Sequence, residues 1–104
     1  MSQSNPNPKN LPTKIERVLE YLLLGKSLNR FEAERIVNDH CLHSTMSALK
    51  NKYGILLIAK PEIVPGWHQQ PTRVTRYWLS DTTQAQAIAL RQTMRRRRSV
   101  PEAA

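Results

Sequence analysis

Ser44, Ser47 and Asn51 follow one another at three- and four-residue spacing, so any helix carrying them holds all three on one face. Their side chains are short and polar, and His43, Lys50 and Lys52 edge them with basic groups. Such a face suits the reading of nucleic-acid bases. Short side chains allow close approach to base edges, Asn51 can pair bidentately with an adenine, and Lys50 can reach a guanine or a phosphate. The plainer alternative is an ordinary solvated face on a helical domain. Arg73 and Arg76 form a second basic group, flanking Val74 and Thr75 not far from Lys60, Trp67 and His68. They suit contact with backbone phosphates or entry into a minor groove; simple solvation of a strand face, with Tyr77 and Leu79 as core, is the alternative. Arg95, Arg96, Arg97 and Arg98 make a third, dense enough to grip phosphate without reading sequence. A solvated tail has the same composition.

Other chemistries find little support. His40, Cys41, His43 and His68 carry metal-capable side chains, but their spacing matches no zinc pattern, and one cysteine cannot supply paired thiolates. No Ser/His/Asp or Cys/His framework stands out, and three glycines leave little for a phosphate-cradling loop. The expectation is a protein that is not an enzyme, with no metal and no cofactor.

The charge agrees with a polyanionic partner. Net charge is +8, and it is unevenly spread: residues 1–49 hold six Lys/Arg against five Asp/Glu, residues 50–104 ten against three. Neutralised phosphates release condensed counterions, which favours such a surface on nucleic acid. A single cysteine leaves no internal disulfide and fits a reducing compartment. The first ten residues are polar and bear prolines, unlike a signal peptide, and the apolar run at 21–24 is too short for a bilayer. A cytoplasmic protein without membrane contact is expected.

The elements that must position these groups are legible in order. Residues 1–11 lack periodicity and read as a flexible arm. Thr13 and Glu16 form a capping box ahead of Ile15, Val18, Leu19 and Leu22 on one helical face, and Gly25 stops that helix. Asn29 and Glu32 repeat the box before a short stripe of Ala33, Ile36 and Val37, closed by Asn38 and Asp39. A third helix starts near His43 or Ser44, with Leu42, Met46, Leu49 and Tyr53 inside and Gly54 as its stop. Residues 55–59 read as a strand closed by Pro61, residues 62–71 as a loop, and residues 72–79 as the returning strand. Asp81 with Gln84 opens a last helix running to about Arg98, ahead of a disordered tail at 99–104. Its apolar residues fall into two weak faces, Ala85/Ile88/Ala89 and Ala87/Leu90/Met94. One can pack on the domain and the other on a second subunit; otherwise the helix is polar all round with little anchoring.

Three helices followed by a two-stranded ribbon describe an α+β domain over residues 12–80 of the winged helix-turn-helix kind. A basic C-terminal helix follows at 81–98. The chain resembles the small helix-turn-helix domains common in phage and prophage proteins, through TKIERVLEYLLLGKSLNRFEA (13–33), MSALKNKYG (46–54) and RYWL (76–79). Thr13, Gly25, Ala33, Met46, Leu49, Lys50, Gly54, Tyr77 and Leu79 fit that family's places. Two features depart from it: no glycine occupies the central turn at 38–41, and an extra residue lies near Tyr53. The resemblance implies DNA binding by a small mobile-element regulator.

The sequence thus leads to a duplex-DNA-binding transcriptional regulator or excisionase-like architectural factor. The competing reading is a protein-binding adaptor, or an inhibitor of a host nucleoprotein complex, using the same basic surface. Ala87, Leu90 and Met94 are expected to form a weak homodimer contact.

Overall fold

A computed structural model describes residues 11–99. The arm expected at 1–11, Leu11 excepted, and the tail beyond Ser99 lie outside the described residues. In chain order the elements are α1 (Lys14–Leu23), α2 (Arg30–Ile36), α3 (Leu42–Asn51), β1 (Leu57–Pro65), β2 (Pro71–Leu79) and α4 (Gln84–Ser99). The architecture is mixed α+β, with four helices and one antiparallel two-stranded hairpin.

Local chemistry explains the helix starts. Thr13 caps α1, its hydroxyl accepting from the Glu16 N–H at 3.2 Å. At α2 the box is complete: Asn29 Oδ1 accepts from the N–H groups of Phe31 and Glu32, and Glu32 accepts from the Asn29 N–H at 3.1 Å. The orphan donors of a helix N-terminus are satisfied there by side chains close in sequence. Gly25 and Gly54 end α1 and α3 at φ of +82° and +70°, a left-handed conformation that glycine adopts without strain.

Val18, Leu19, Leu22, Leu28, Ala33, Val37, Leu42, Met46, Leu49, Ile55, Leu79 and Ala87 form one core beneath the three N-terminal helices. The expected inner face of α3 is buried at Leu42, Met46 and Leu49, with Tyr53 packed at its margin, and Thr45 joins it. Two helix expectations change. α3 begins at Leu42, earlier than His43 or Ser44. Ile36 leaves the expected stripe of α2 and is exposed, turning onto a surface groove shared with Tyr21 and Leu24.

The hairpin is longer than the prolines imply. β1 passes through Pro61 and Pro65, and the loop expected at 62–71 shrinks to a five-residue tip at 66–70. Register explains this. Gly66 donates to Gln70 O at 2.8 Å and Ser80 donates to Leu56 O at 3.2 Å, so even-numbered residues of β1 occupy the hydrogen-bonded pairs. Pro61 and Pro65 are odd-numbered and face Thr75 and Pro71 in non-bonded pairs, where a missing N–H removes nothing from the ladder. On its other edge β2 exchanges two hydrogen bonds with Leu28, through Tyr77, at 3.0 and 2.8 Å.

Ser80, not Asp81, provides the cap at the start of the last segment. Its hydroxyl accepts from Thr82 N–H above a single 3-10 turn, and α4 proper begins at Gln84. α4 then packs along α1, with Ala87 fully buried and Leu90 and Met94 against the core. That face, expected to meet a second subunit, is consumed inside the chain. The surface expected to make a dimer contact through Ala87, Leu90 and Met94 is thus covered by α1 and the core within one chain. Ala85, Ile88 and Ala89 are the face left exposed. Among the described residues no helix is long and apolar enough to cross a membrane.

Candidate nucleic-acid interface

α3 is fixed by a buried carboxylate rather than by its own cap, for Cys41 makes no side-chain capping bond. Asp39 is fully buried; its Oδ1 accepts from the Cys41 N–H at 2.9 Å and its Oδ2 from the Thr45 hydroxyl at 2.6 Å. The Lys14 ammonium stands 3.8 Å away, and the Asp39 N–H donates back to Ala33 O in α2 at 3.0 Å. The Asp39 side chain thus ties the turn to α3 and stands by Lys14 of α1, while its backbone N–H ties the turn to α2. Asn38 supplies the left-handed step of the turn at φ +56°. Asparagine tolerates that conformation better than other residues bearing a Cβ.

His43, Ser44, Lys50, Asn51 and Lys52 are exposed on α3 and its end, and Ser47 is half-buried among them. Ser44 Oγ lies 3.1 Å from Cys41 Sγ, so the first of the polar positions has a local partner. No Asp or Glu occurs between His40 and Pro61, so α3 and the segment leading into β1 carry no carboxylate of their own to repel a phosphate.

The two hairpin arginines have different fates. Arg73 is exposed, opposite Ile63 in the ladder. Arg76 is only 26% exposed, and its guanidinium is engaged within the chain by Ser27, Glu32 and Glu62. Nε donates to Glu62, Nη1 to Ser27 and Glu32, and Nη2 to Glu32, at 2.8 to 3.1 Å, and Nη2 also stands 2.9 Å from Glu62 Oε2 as an ion pair. Arg76 thus leaves the set of candidate DNA contacts: it clasps the hairpin to the start of α2. Asn29 completes the clasp by donating to Glu62 Oε2 at 2.9 Å while its Oδ1 caps the helix. The Arg76 hydrogen bonds hold both carboxyls below the usual carboxylate range, with Asn29 helping at each through its backbone N–H to Glu32 and its side chain to Glu62. The same bonds push the guanidinium pKa up.

On α4, Arg95 is paired with Glu20 of α1, Nε and Nη2 each lying 3.0 Å from Glu20 Oε2. Arg96 and Arg97 are exposed, and the Arg98 side chain lies outside the described residues. The expected contacts therefore fall on three separate elements: the α3 face, Arg73 of the hairpin, and the far end of α4.

No sequence signal marks the anchoring roles of Asp39, Arg76 and Glu62. The Asn29–Glu32 box is visible in the residues, but Arg76 lies 44 residues from Glu32, and nothing local links them. Phe31, which fits no apolar stripe, lies half-buried under the Arg30 guanidinium, 4.9 Å from its ring centre. His40 bonds Glu34 at 2.8 Å and Asn38 at 3.1 Å, and among the described residues no group of three or more His, Cys, Asp or Glu side chains is assembled to hold a metal. Comparison with family models, curated proteins and solved structures finds no match to the chain.

Proposed function

We propose that this chain is a winged helix-turn-helix protein that binds duplex DNA, with α3 entering the major groove. The hairpin would be the wing, holding flanking backbone through Arg73, and α4 would add electrostatic grip through its terminal arginines. The observation that carries this reading is the outer face of α3: short polar side chains edged by Lys50 and Lys52, on a helix pinned from behind by Asp39. A helix rigidly held on its apolar side, with small groups outward, can approach base edges without first ordering itself. The resemblance to phage and prophage domains points to a transcriptional regulator or an excisionase-like architectural factor. In this reading the chain works by binding, not by catalysis.

The test is a salt series on labelled duplex. Affinity should fall at least tenfold between roughly 50 and 200 mM salt, because several phosphates would be neutralised. Binding that does not weaken with salt, or no binding even at the lowest salt, would count against a DNA role and favour the adaptor reading.

A further inference from the structure

The hairpin tip carries the feature that phosphate binding leaves unused. Trp67 is 80% exposed, the most solvent-accessible of the large apolar side chains among the described residues. The backbone beneath it is closely tied. Gly66 donates to Gln70 O, Gln69 to Gly66 O and Gln70 to Trp67 O, at 2.8 to 3.0 Å, while the Thr72 hydroxyl donates to Gln70 O. His68 and Gln69 both hold left-handed φ, at +54° and +62°, and a Cβ at Gly66 would overlap Thr72 Oγ1. The turn thus accepts strain at two non-glycine residues, and its geometry presents a large indole to water.

The surroundings narrow what that indole meets. The imidazole of His68 leans on it, ring centres 3.8 Å apart and planes inclined by 40°. The tilted imidazole crowds the indole without covering it, and at 80% exposure the ring keeps a surface for one flat partner. A wedge driven between two stacked base pairs needs both faces; a base stacked at an end needs one. Charge agrees with a nucleic-acid strand: the hairpin bears Lys60 and Arg73, while its single carboxylate, Glu62, is bound to Arg76. Base–aromatic stacking is tolerant of sequence because every base has a flat π-face.

We infer that Trp67 is a stacking platform for one unpaired nucleobase, so that the hairpin tip recognises the point where duplex DNA opens into single strand. This rests on the nucleic-acid reading above and adds to it the form of DNA preferred.

The experiment compares a blunt duplex with the same duplex opened at one end into two non-complementary arms. Wild type, Trp67→Ala and Trp67→Phe are titrated with each by anisotropy of labelled DNA. Trp67→Ala should weaken fork binding roughly tenfold, the loss of one stacked base, and duplex binding by less than about twofold. Trp67→Phe should retain most fork affinity. Because the chain has two tryptophans, Trp78→Phe leaves Trp67 as the sole tryptophan, and its selectively excited fluorescence should be quenched by the fork and not by the duplex. Equal losses on both DNAs, no loss on either, or an unquenched Trp67 on bound fork would overturn the inference. If wild type ignores the duplex yet binds the fork through Trp67, the duplex reading fails and the tip inference stands. Absence of binding to both DNAs overturns both and leaves the tip to a protein partner.

Discussion

Asn51 and Ser47 occupy the part of α3 where a change of one side chain separates reading from gripping. Asn51 is exposed on the last turn, and Ser47 is half-buried one turn earlier on the same face. Neither contributes to the core, so both can be altered with little effect on folding. Asn51→Ala or Ser47→Glu should erase the difference in affinity between a preferred site and a random duplex. A lost bidentate base contact corresponds to about 1–3 kcal/mol of discrimination. Titration of both DNAs with each variant checks this, and equal losses on the two would show that the α3 face does not read bases. Asp39 belongs to a different class, because its buried carboxylate holds the helix and never faces outward.

At the scale of elements, the hairpin is held to α2 by the Arg76 clasp. Glu32 and Glu62 each have a lowered carboxyl pKa in the folded chain, chiefly through Arg76. A carboxyl depressed on folding contributes stability that is present above its unfolded pKa, about 4.3 for Glu. That contribution is lost as pH falls through the lower folded value. Arg76→Met should therefore lower stability by about 1.5–3 kcal/mol near neutrality, the range for a hydrogen bond to a charged group. The gap between variant and wild type should hold from about pH 8 to 5 and narrow as pH falls below about 4.3 through the lower folded values. Thermal unfolding followed down the acid range measures it; a gap that does not narrow on acidification would show that the two carboxylate charges contribute nothing to the clasp. The prolines of β1 make a related point, since their register keeps the ribbon continuous to its tip at 66–70.

For the whole molecule, α4 is the element whose place most changes how the chain is understood. Ala87 is fully buried on the helix face that joins the core, so Ala87→Leu should overpack the contact with α1 and destabilise by about 1–3 kcal/mol. Denaturant unfolding at several protein concentrations tests this. A concentration-dependent midpoint lost in the variant would instead restore the face to an interface between subunits. The far end of α4 carries the densest charge. Removal of residues 95–104 should weaken binding to preferred and random duplexes alike and flatten the salt dependence, since phosphate contacts add affinity without sequence information. A selective loss on the preferred site would show that the arginines read more than charge.

How much of the fold the sequence determines by itself follows from how far its signals extend along the chain. The caps at Thr13 and Asn29, the stops at Gly25 and Gly54, and the buried face of α3 each depend on residues within about a turn of one another. Short-range hydrogen bonding and helical periodicity determine them, so element order and the polar outer face of α3 are legible in the residues alone. The rest depends on contacts across the chain. Two opposed weak faces on α4 are equivalent by pattern, and only packing against α1 decides which is inner. Pro61 reads as the end of a strand, yet its pairing places it where no ladder bond is required. Arg76 and Arg73 are alike in the sequence; only the folding of Glu32 and Glu62 to one side makes the first a clasp and leaves the second exposed. An arginine near a strand states its charge, but what neutralises that charge is set by whichever carboxylates the tertiary structure brings within hydrogen-bonding reach.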